Sequence, residues 1–213
     1  MPAPTRTTYH HGSLRDTLVQ ACVGIIESEG IGAVSLRRVA REAGVSPAAP
    51  YHHFVDRSAL LAAIAVRGSE LLEQELRSAA GKAPTGMRAL VDAVQAYVHF
   101  ARTHSGYVHV MLRPELFEPD KHPDAQQAGA GAIQLLMDIV DRCQREGSAP
   151  PGDPGPLVGM IWALSVGIVT LWLDGPLEQR CVSLGTTPEQ LTAQIAALIE
   201  TTLTSSARAL SQR

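Results

Sequence analysis

The sequence predicts an all-α protein: an N-terminal three-helix domain containing a helix-turn-helix, followed by a larger C-terminal helical bundle. Two observations carry this. No segment of the 213 residues alternates apolar and polar side chains with period two, whereas apolar residues recur three and four apart along most of the chain. Breaks rich in glycine and proline, such as GKAPTG at 81–86 and PPGDPGP at 150–156, punctuate those stretches.

The first helix is signalled by Ser13-Leu14-Arg15-Asp16, a Ser-x-x-Asp start ahead of an apolar stripe at Leu14, Leu18, Cys22, Ile25 and Ile26. Gly30 stops it. Ser35 caps a shorter second helix with Leu36, Val39, Ala40 and Ala43 inward and Arg37, Arg38 and Arg41 outward. Gly44 supplies the left-handed residue that ends it. One residue later Ser46 offers a new N-cap, with Pro47 at the first helical position, where its missing N–H is harmless. Two short helices meeting at so sharp a turn form a helix-turn-helix. In its second member Val45, Pro50 and Phe54 can face the core, leaving Pro47, Ala48, Ala49, Tyr51 and His52 outward. Pro50 removes a hydrogen bond that an ordinary helix begins with, so this helix must be short or locally irregular.

From Asp56 a long pattern carries Leu60, Leu61, Ile64, Leu71, Leu72 and Leu76 and ends at the GKAPTG break. Further helical patterns cover roughly 86–104, 107–117, 124–146, 156–174 and 188–209. The expected division is residues 1–66 for the helix-turn-helix domain and residues 67–213 for the bundle.

Composition limits the function classes. Apolar residues make up 45% of the chain, enough for a sizeable core. Cys22, Cys143 and Cys181 lie far apart without a CxxC pair, so a disulfide framework or zinc ribbon is not indicated and a reducing cytoplasm is the expected setting. The opening MPAPTRTTYHHG has no apolar core and does not read as a secretory signal. Leu157 to Leu173 is uncharged but short of the roughly 20 residues a bilayer needs. Asp153 and Asp174 flank it, so it reads as a buried helix and not a membrane span. The net charge of −3 is unevenly spread: residues 1–57 carry a net +1 plus His10, His11, His52 and His53, and the remainder carries −4. A polyanion is expected at the N-terminal end.

The stretch GVSPAAPYHHF at 44–54 carries the chemistry. His52 to Asp56 invites comparison with the HHxxxDG signature of condensation-type acyltransferases, but it is one residue too short and lacks the glycine. Adjacent histidines point about 100° apart on a helix, a poor arrangement for one metal. Neither a catalytic residue, a metal nor a cofactor is expected. Nucleic acid suits the same residues better. Pro47, Ala48 and Ala49 are small enough to enter a major groove and touch thymine methyls. Arg37 is placed for a bidentate guanine contact, while Tyr51, His52, His53 and Arg57 can reach phosphates. The plainer alternative is a solvated polar surface beside a packed Tyr/Phe pair.

Residues 9–62, with S-L-x-x-V-A-x-x-A-G-V-S at 35–46 followed by Tyr51-His52-His53-Phe54 and a capped helix, resemble the DNA-binding domain of TetR-type transcriptional regulators. The resemblance implies DNA contacts from Arg37, Ala49, Tyr51, His52, His53 and Arg57, and a phosphate-facing cap at Ser35. Where many relatives carry a hydrogen-bonding side chain this sequence has Pro47 or Ala49, which shifts weight from base readout to DNA shape. Tyr9 to Gly12, YHHG, is similar to a subgroup feature that either meets phosphates or is an inert lead-in. The C-terminal part resembles more weakly the subgroup with a Trp…His-Gly motif. Trp162 and Gly167 fit, but Val166 stands in place of the histidine, whose role is therefore not transferable.

Two helical faces exceed what one small domain needs and point to a homodimer. Gly159, Ala163 and Gly167 form a small-residue stripe that permits close helix approach, and the last helix adds Leu191, Ile195, Leu198 and Thr202, with Ile199 and Leu203 beside them. The resemblance implies dimerisation through the same two helices. Tyr97, Phe100, Met111, Met137, Trp162 and Trp172 can line a pocket for a mostly apolar small molecule, or serve as plain core. The expected protein is a cytoplasmic, ligand-responsive regulator, a repressor that binds a near-palindromic operator as a dimer and is released by a small molecule. A regulator without an inducer, and a histidine-based metal-binding or enzymatic helical protein, are the alternatives.

Overall fold

The computed structural model describes residues 11–118 and 120–211, and no strand occurs among them. Ten α-helices are found there, in order: α1 (His11–Glu29), α2 (Leu36–Glu42), α3 (Arg57–Ala80), α4 (Gly86–Thr103), α5 (Ser105–Met111), α6 (Pro123–Gln127), α7 (Ala130–Arg145), α8 (Gly155–Leu173), α9 (Leu177–Ser183) and α10 (Pro188–Ser211). Short 3-10 turns lie at Ile31–Ala33, Ala49–His52 and Pro114–Phe117. The Tyr9-His10 part of the YHHG element lies outside the described residues.

The chain divides into two compact units, one of residues up to Gly68 with Gly106–Gln127, the other of Ser69–Ser105 with Ala128–Arg213. In the first unit, α1 packs against α2 and the 3-10 turn Ile31–Ala33, and Leu18, Cys22, Ile25 and Ile26 of α1 are buried, as are Val39 of α2 and Leu60, Leu61 and Ile64 in the first half of α3. The segment 106–127, distant in sequence, joins this unit through α5. Gln20 Nε2 donates to the Tyr107 hydroxyl at 2.8 Å, and the Gly106 amide donates to Glu27 Oε1 at 3.2 Å.

In the second unit α4 is the central helix, packed against α7, α8 and α10, with Leu90 and Phe100 fully buried. Thr85 caps it by accepting the Arg88 amide at 3.2 Å. Its entry loop is held to the end of α7: Glu146 Oε2 accepts the Gly86 amide at 2.6 Å, and Arg142 Nη2 donates to the Pro84 carbonyl at 2.8 Å. The Gly86 amide, with Arg142 beside it, holds the Glu146 carboxyl below the usual carboxylate range.

The helices differ from the sequence expectation in three places. The 107–117 pattern splits after Met111 because Pro114 disfavours a helical conformation at the preceding Arg113 (φ −129°, ψ 68°), and the chain restarts as a 3-10 turn. The 124–146 pattern breaks at residues 128–129 into α6 and α7. The helix α9 was not expected. Only Leu177 and Cys181 of its seven residues are buried, so packing on α8 and α10, not its own periodicity, holds it.

The close approach of α5 to α1 is testable. A Cβ on Gly106 would lie 2.9 Å from the Val23 carbonyl, whereas one on Gly24 would meet nothing within 4 Å. Gly106→Ala is expected to lower stability by about 1 to 3 kcal/mol through overpacking. Gly24→Ala, inside an exposed helix face, should raise it by about 0.5 to 1 kcal/mol. Urea unfolding of both variants checks the opposite signs.

Candidate functional site

The N-terminal site begins at Ser35, whose Oγ accepts the Arg38 amide at 3.2 Å and caps α2. The helix ends as expected at Gly44, with φ +67°. The Gly44 amide donates to the Arg41 carbonyl at 3.2 Å and the Val45 amide to the Ala40 carbonyl at 3.0 Å, the paired bonds of a Schellman end. The chain thus reverses within one residue.

The segment after this reversal is a tight 3-10 turn in place of an α-helix. The Ala49, Tyr51 and His53 amides donate to the carbonyls of Ser46, Ala48 and Pro50 at 3.0, 3.2 and 3.0 Å. Pro50 has no amide to complete an α-helical bond, so the tighter pattern prevails. Its ring and Phe54 are buried, with the Arg15 guanidinium 5.3 Å above the Phe54 ring. Pro47, Ala48, Tyr51 and His52 are exposed, while Ala49 and His53 are half-buried. The turn therefore presents small, uncharged side chains flanked by a tyrosine and a histidine.

The arginines of this region have separate fates. Arg37 and Arg41 are exposed, and among the described residues no ion pair or hydrogen bond holds either side chain. Arg38 is clamped, donating to Glu29 at 2.5 Å and Glu42 at 2.6 Å, so it ties the end of α1 to α2. Arg57 turns inward: Nε donates to the Val34 carbonyl at 3.1 Å and Nη2 to the Ile31 carbonyl at 2.8 Å. The Arg38 clamp was not read from the sequence, although Glu42 four residues on was a visible signal.

The six residues expected to line a pocket fall in both units. Met111 belongs to the first unit and the other five to the second. Phe100 is fully buried and stacks on His104 with ring centroids 4.6 Å apart. Trp162 is 55% exposed, on the outward face of α8. Tyr97, Met137 and Trp172 are half-buried. Burial pushes the Tyr97 hydroxyl up to about 12, so it stays protonated, and Arg102 lies 4.5 Å from the Trp172 ring while pairing with Glu189.

The small-residue stripe of α8 faces outward, with Gly159 and Ala163 exposed and Gly167 half-buried. Helical spacing sets exposed Met160, Leu164 and Leu171 along one side of it and Trp162 along the other. Met160, Leu164 and Leu171 carry no signal of their own in the sequence, because the helix is apolar all round. On α10, Leu191 and Ile195 are half-buried, Thr202 is exposed and Leu198 is 63% exposed, whereas Ile199 and Leu203 turn into the unit.

Burial pushes the Cys22 thiol up to about 12, leaving it protonated. His99 is exposed, and His104 Nδ1 lies 2.9 Å from Thr103 Oγ1. No group of three His, Cys, Asp or Glu residues is placed to hold a metal ion among the described residues.

Two family descriptions match this chain: "Bacterial regulatory proteins, tetR family" over residues 18–64, and "Tetracyclin repressor-like, C-terminal domain" over residues 90–199. The HTH-type transcriptional regulator YobS of Bacillus subtilis is 31% identical over 102 residues. That match takes in 47% of this chain and spans about half (52%) of the length of that relative. Among solved structures, a protein of unknown function from Rhodococcus sp. RHA1 is 31% identical, with a TM-score of 0.77, over 93% of this chain and all of that one. FadR of Bacillus subtilis, solved in complex with stearoyl-CoA, shares the fold at 15% identity and a TM-score of 0.70, over 86% and 96% of the two chains. The matched segments include the reversal at Gly44 and, in residues 90–199, just over half of the sequence, so the chain belongs to the TetR family of DNA-binding transcriptional regulators, which are not enzymes.

Proposed function

We propose that the protein is a cytoplasmic homodimer that represses transcription from a near-palindromic operator and is released when a mostly apolar small molecule binds. Residues 1–66 meet DNA, and residues 67–213 hold the ligand and the dimer interface. The observation that carries the dimer is the outward face of α8. A Cβ on Gly159 or Gly167 would meet nothing within 4 Å, so packing inside the subunit does not require glycine there. Close approach of a second helix does, and the flanking Met160, Leu164 and Leu171 supply apolar area to bury. Leu198 and Thr202 extend the face onto α10. A dimer joined here presents two helix-turn-helix units to half-sites about 34 to 36 Å apart.

On DNA, unpaired Arg37 is the base-reading residue, with Arg41 beside it for phosphate. Ser35, Pro47, Ala48, Ala49, Tyr51, His52 and His53 complete the surface. For the ligand, half-buried Tyr97, Met137 and Trp172 are the contacts that remain inside the second unit. The stearoyl-CoA complex of FadR, a protein of the same fold, supports trying fatty acyl compounds first. A second reading, a regulator without an inducer, is favoured by the complete burial of Phe100 and the outward placement of Trp162.

Replacing Gly167 with Glu, or Leu198 with Asp, should yield monomers in sedimentation and abolish tight operator binding. A wild-type monomer at micromolar concentration counts against the interface. Arg37→Ala is expected to cost about 1 to 3 kcal/mol per site on a duplex selected from a random pool and to blunt discrimination against unrelated DNA, by gel-shift titration. Long-chain fatty acids and acyl-CoAs should raise the melting temperature and weaken operator binding about 5- to 150-fold. Trp172→Ala should lose that response while Trp162→Ala keeps it. If no compound raises the melting temperature, the inducer-free reading stands.

A further inference from the structure

Arg57 opens α3, and residues 53–56 link it to the 3-10 turn that carries Tyr51 and His52. Its guanidinium does not extend into solvent. It forks onto two carbonyls, Ile31 and Val34, in the short turn that leads into α2. Val34 precedes the cap Ser35, and Arg37 lies two residues beyond that cap. One side chain thereby connects the start of the helix that bears Arg37 to the start of the helix after the recognition turn. Burial raises the Cys22 thiol, and the Arg57 charge opposes that rise. At the same end of α3, Asp56 Oδ1 accepts the Ala59 amide at 2.8 Å, so the backbone that carries Arg57 is itself capped.

We propose that Arg57 is a positioning residue for DNA recognition: through the Ile31 and Val34 carbonyls it sets α2 against the recognition turn, and it makes no phosphate contact of its own. This rests on the DNA-binding reading. A planar guanidinium suits the task because two donors in fixed geometry meet two acceptors at once, whereas an ammonium is a point donor. Reaching a phosphate would require abandoning both carbonyls, of which Val34 receives no other hydrogen bond among the described residues.

The test uses the full-length protein with two DNAs: a duplex selected from a random pool by the wild type, and an unrelated duplex of equal length. Affinities are measured across a range of salt concentrations. Arg57→Ala should weaken binding to the selected duplex about 10- to 100-fold, as expected for two lost charge-assisted hydrogen bonds. Binding to the unrelated duplex, and the slope of log affinity against log salt, should stay as in the wild type. Arg57→Gln, neutral but able to donate to one carbonyl, should recover part of the loss, and Arg57→Lys, charged but without the fork, should recover no more than Gln. The opposite pattern overturns the proposal: a salt slope shallower by about 0.9 per protomer, with Lys restoring affinity and Gln behaving as Ala. If Arg57→Ala does not fold by circular dichroism, the comparison of Gln with Lys decides the matter. A wild type that selects no duplex defeats the DNA-binding reading and this assignment together, and is recognised before any variant is made.

Discussion

An all-helical chain has no sheet to absorb the carbonyls and amides of its loops, and the structure meets that constraint with long side chains from neighbouring helices. Arg57 serves the Ile31 and Val34 carbonyls, Arg142 serves Ala83 and Pro84, Gln144 serves Pro150 and Gly152, and Glu146 receives the Gly86 amide. Each bond joins segments that helix periodicity alone leaves unrelated. A group left unsatisfied in such a loop costs about 1 to 3 kcal/mol when buried. These donors and the Glu146 acceptor hold the loops against the helices beside them.

The same economy of charge shapes the DNA-facing surface. Of Arg37, Arg38, Arg41 and Arg57, two are committed to internal partners and two are exposed without one. A protein of net charge −3 has few cations to spare for phosphates. On the proposed DNA surface, recognition would then draw on the fit of the small, uncharged turn Pro47-Ala48-Ala49 and on DNA shape, contributions that depend less on salt than phosphate neutralisation does. Holding that turn in one place relative to Arg37 accordingly matters more than adding charge to it.

Helix α8 shows how one composition supports different fates. Among the described residues it is the one helix long and apolar enough to cross a bilayer, and only 28% of its most apolar window is buried inside the chain, so the expectation of a buried helix holds for one face of it and not for the whole. Its inward face, Val158, Ile161, Ile168 and Val169, closes the second unit; Ser165, buried among them, satisfies its hydroxyl by donating to the Ile161 carbonyl at 2.8 Å. Membership of a family of DNA-binding regulators gives the outward face a different reading from lipid contact, one in which small residues admit a second protein helix.

The helix-turn-helix was legible in the sequence because its signals act over three to six residues: a cap at Ser35, a left-handed glycine at position 44, and a proline at position 50 that forbids a regular helix. Local backbone chemistry decides such features, and the structure reproduces them, down to the irregularity at Pro50. Periodicity likewise identified the stripes of α1 and α2 and the existence of the long helices. Tertiary structure alone decided the direction of Arg57, the clamp on Arg38, the joining of 106–127 to the N-terminal unit, the short helix α9, and the outward turn of Trp162. The physical reason is common to all of them. A long side chain reaches several partners, a seven-residue helix has no stability of its own, and an apolar helix offers every face as a core; which partner or face is chosen depends on elements that lie far away in sequence and near in space.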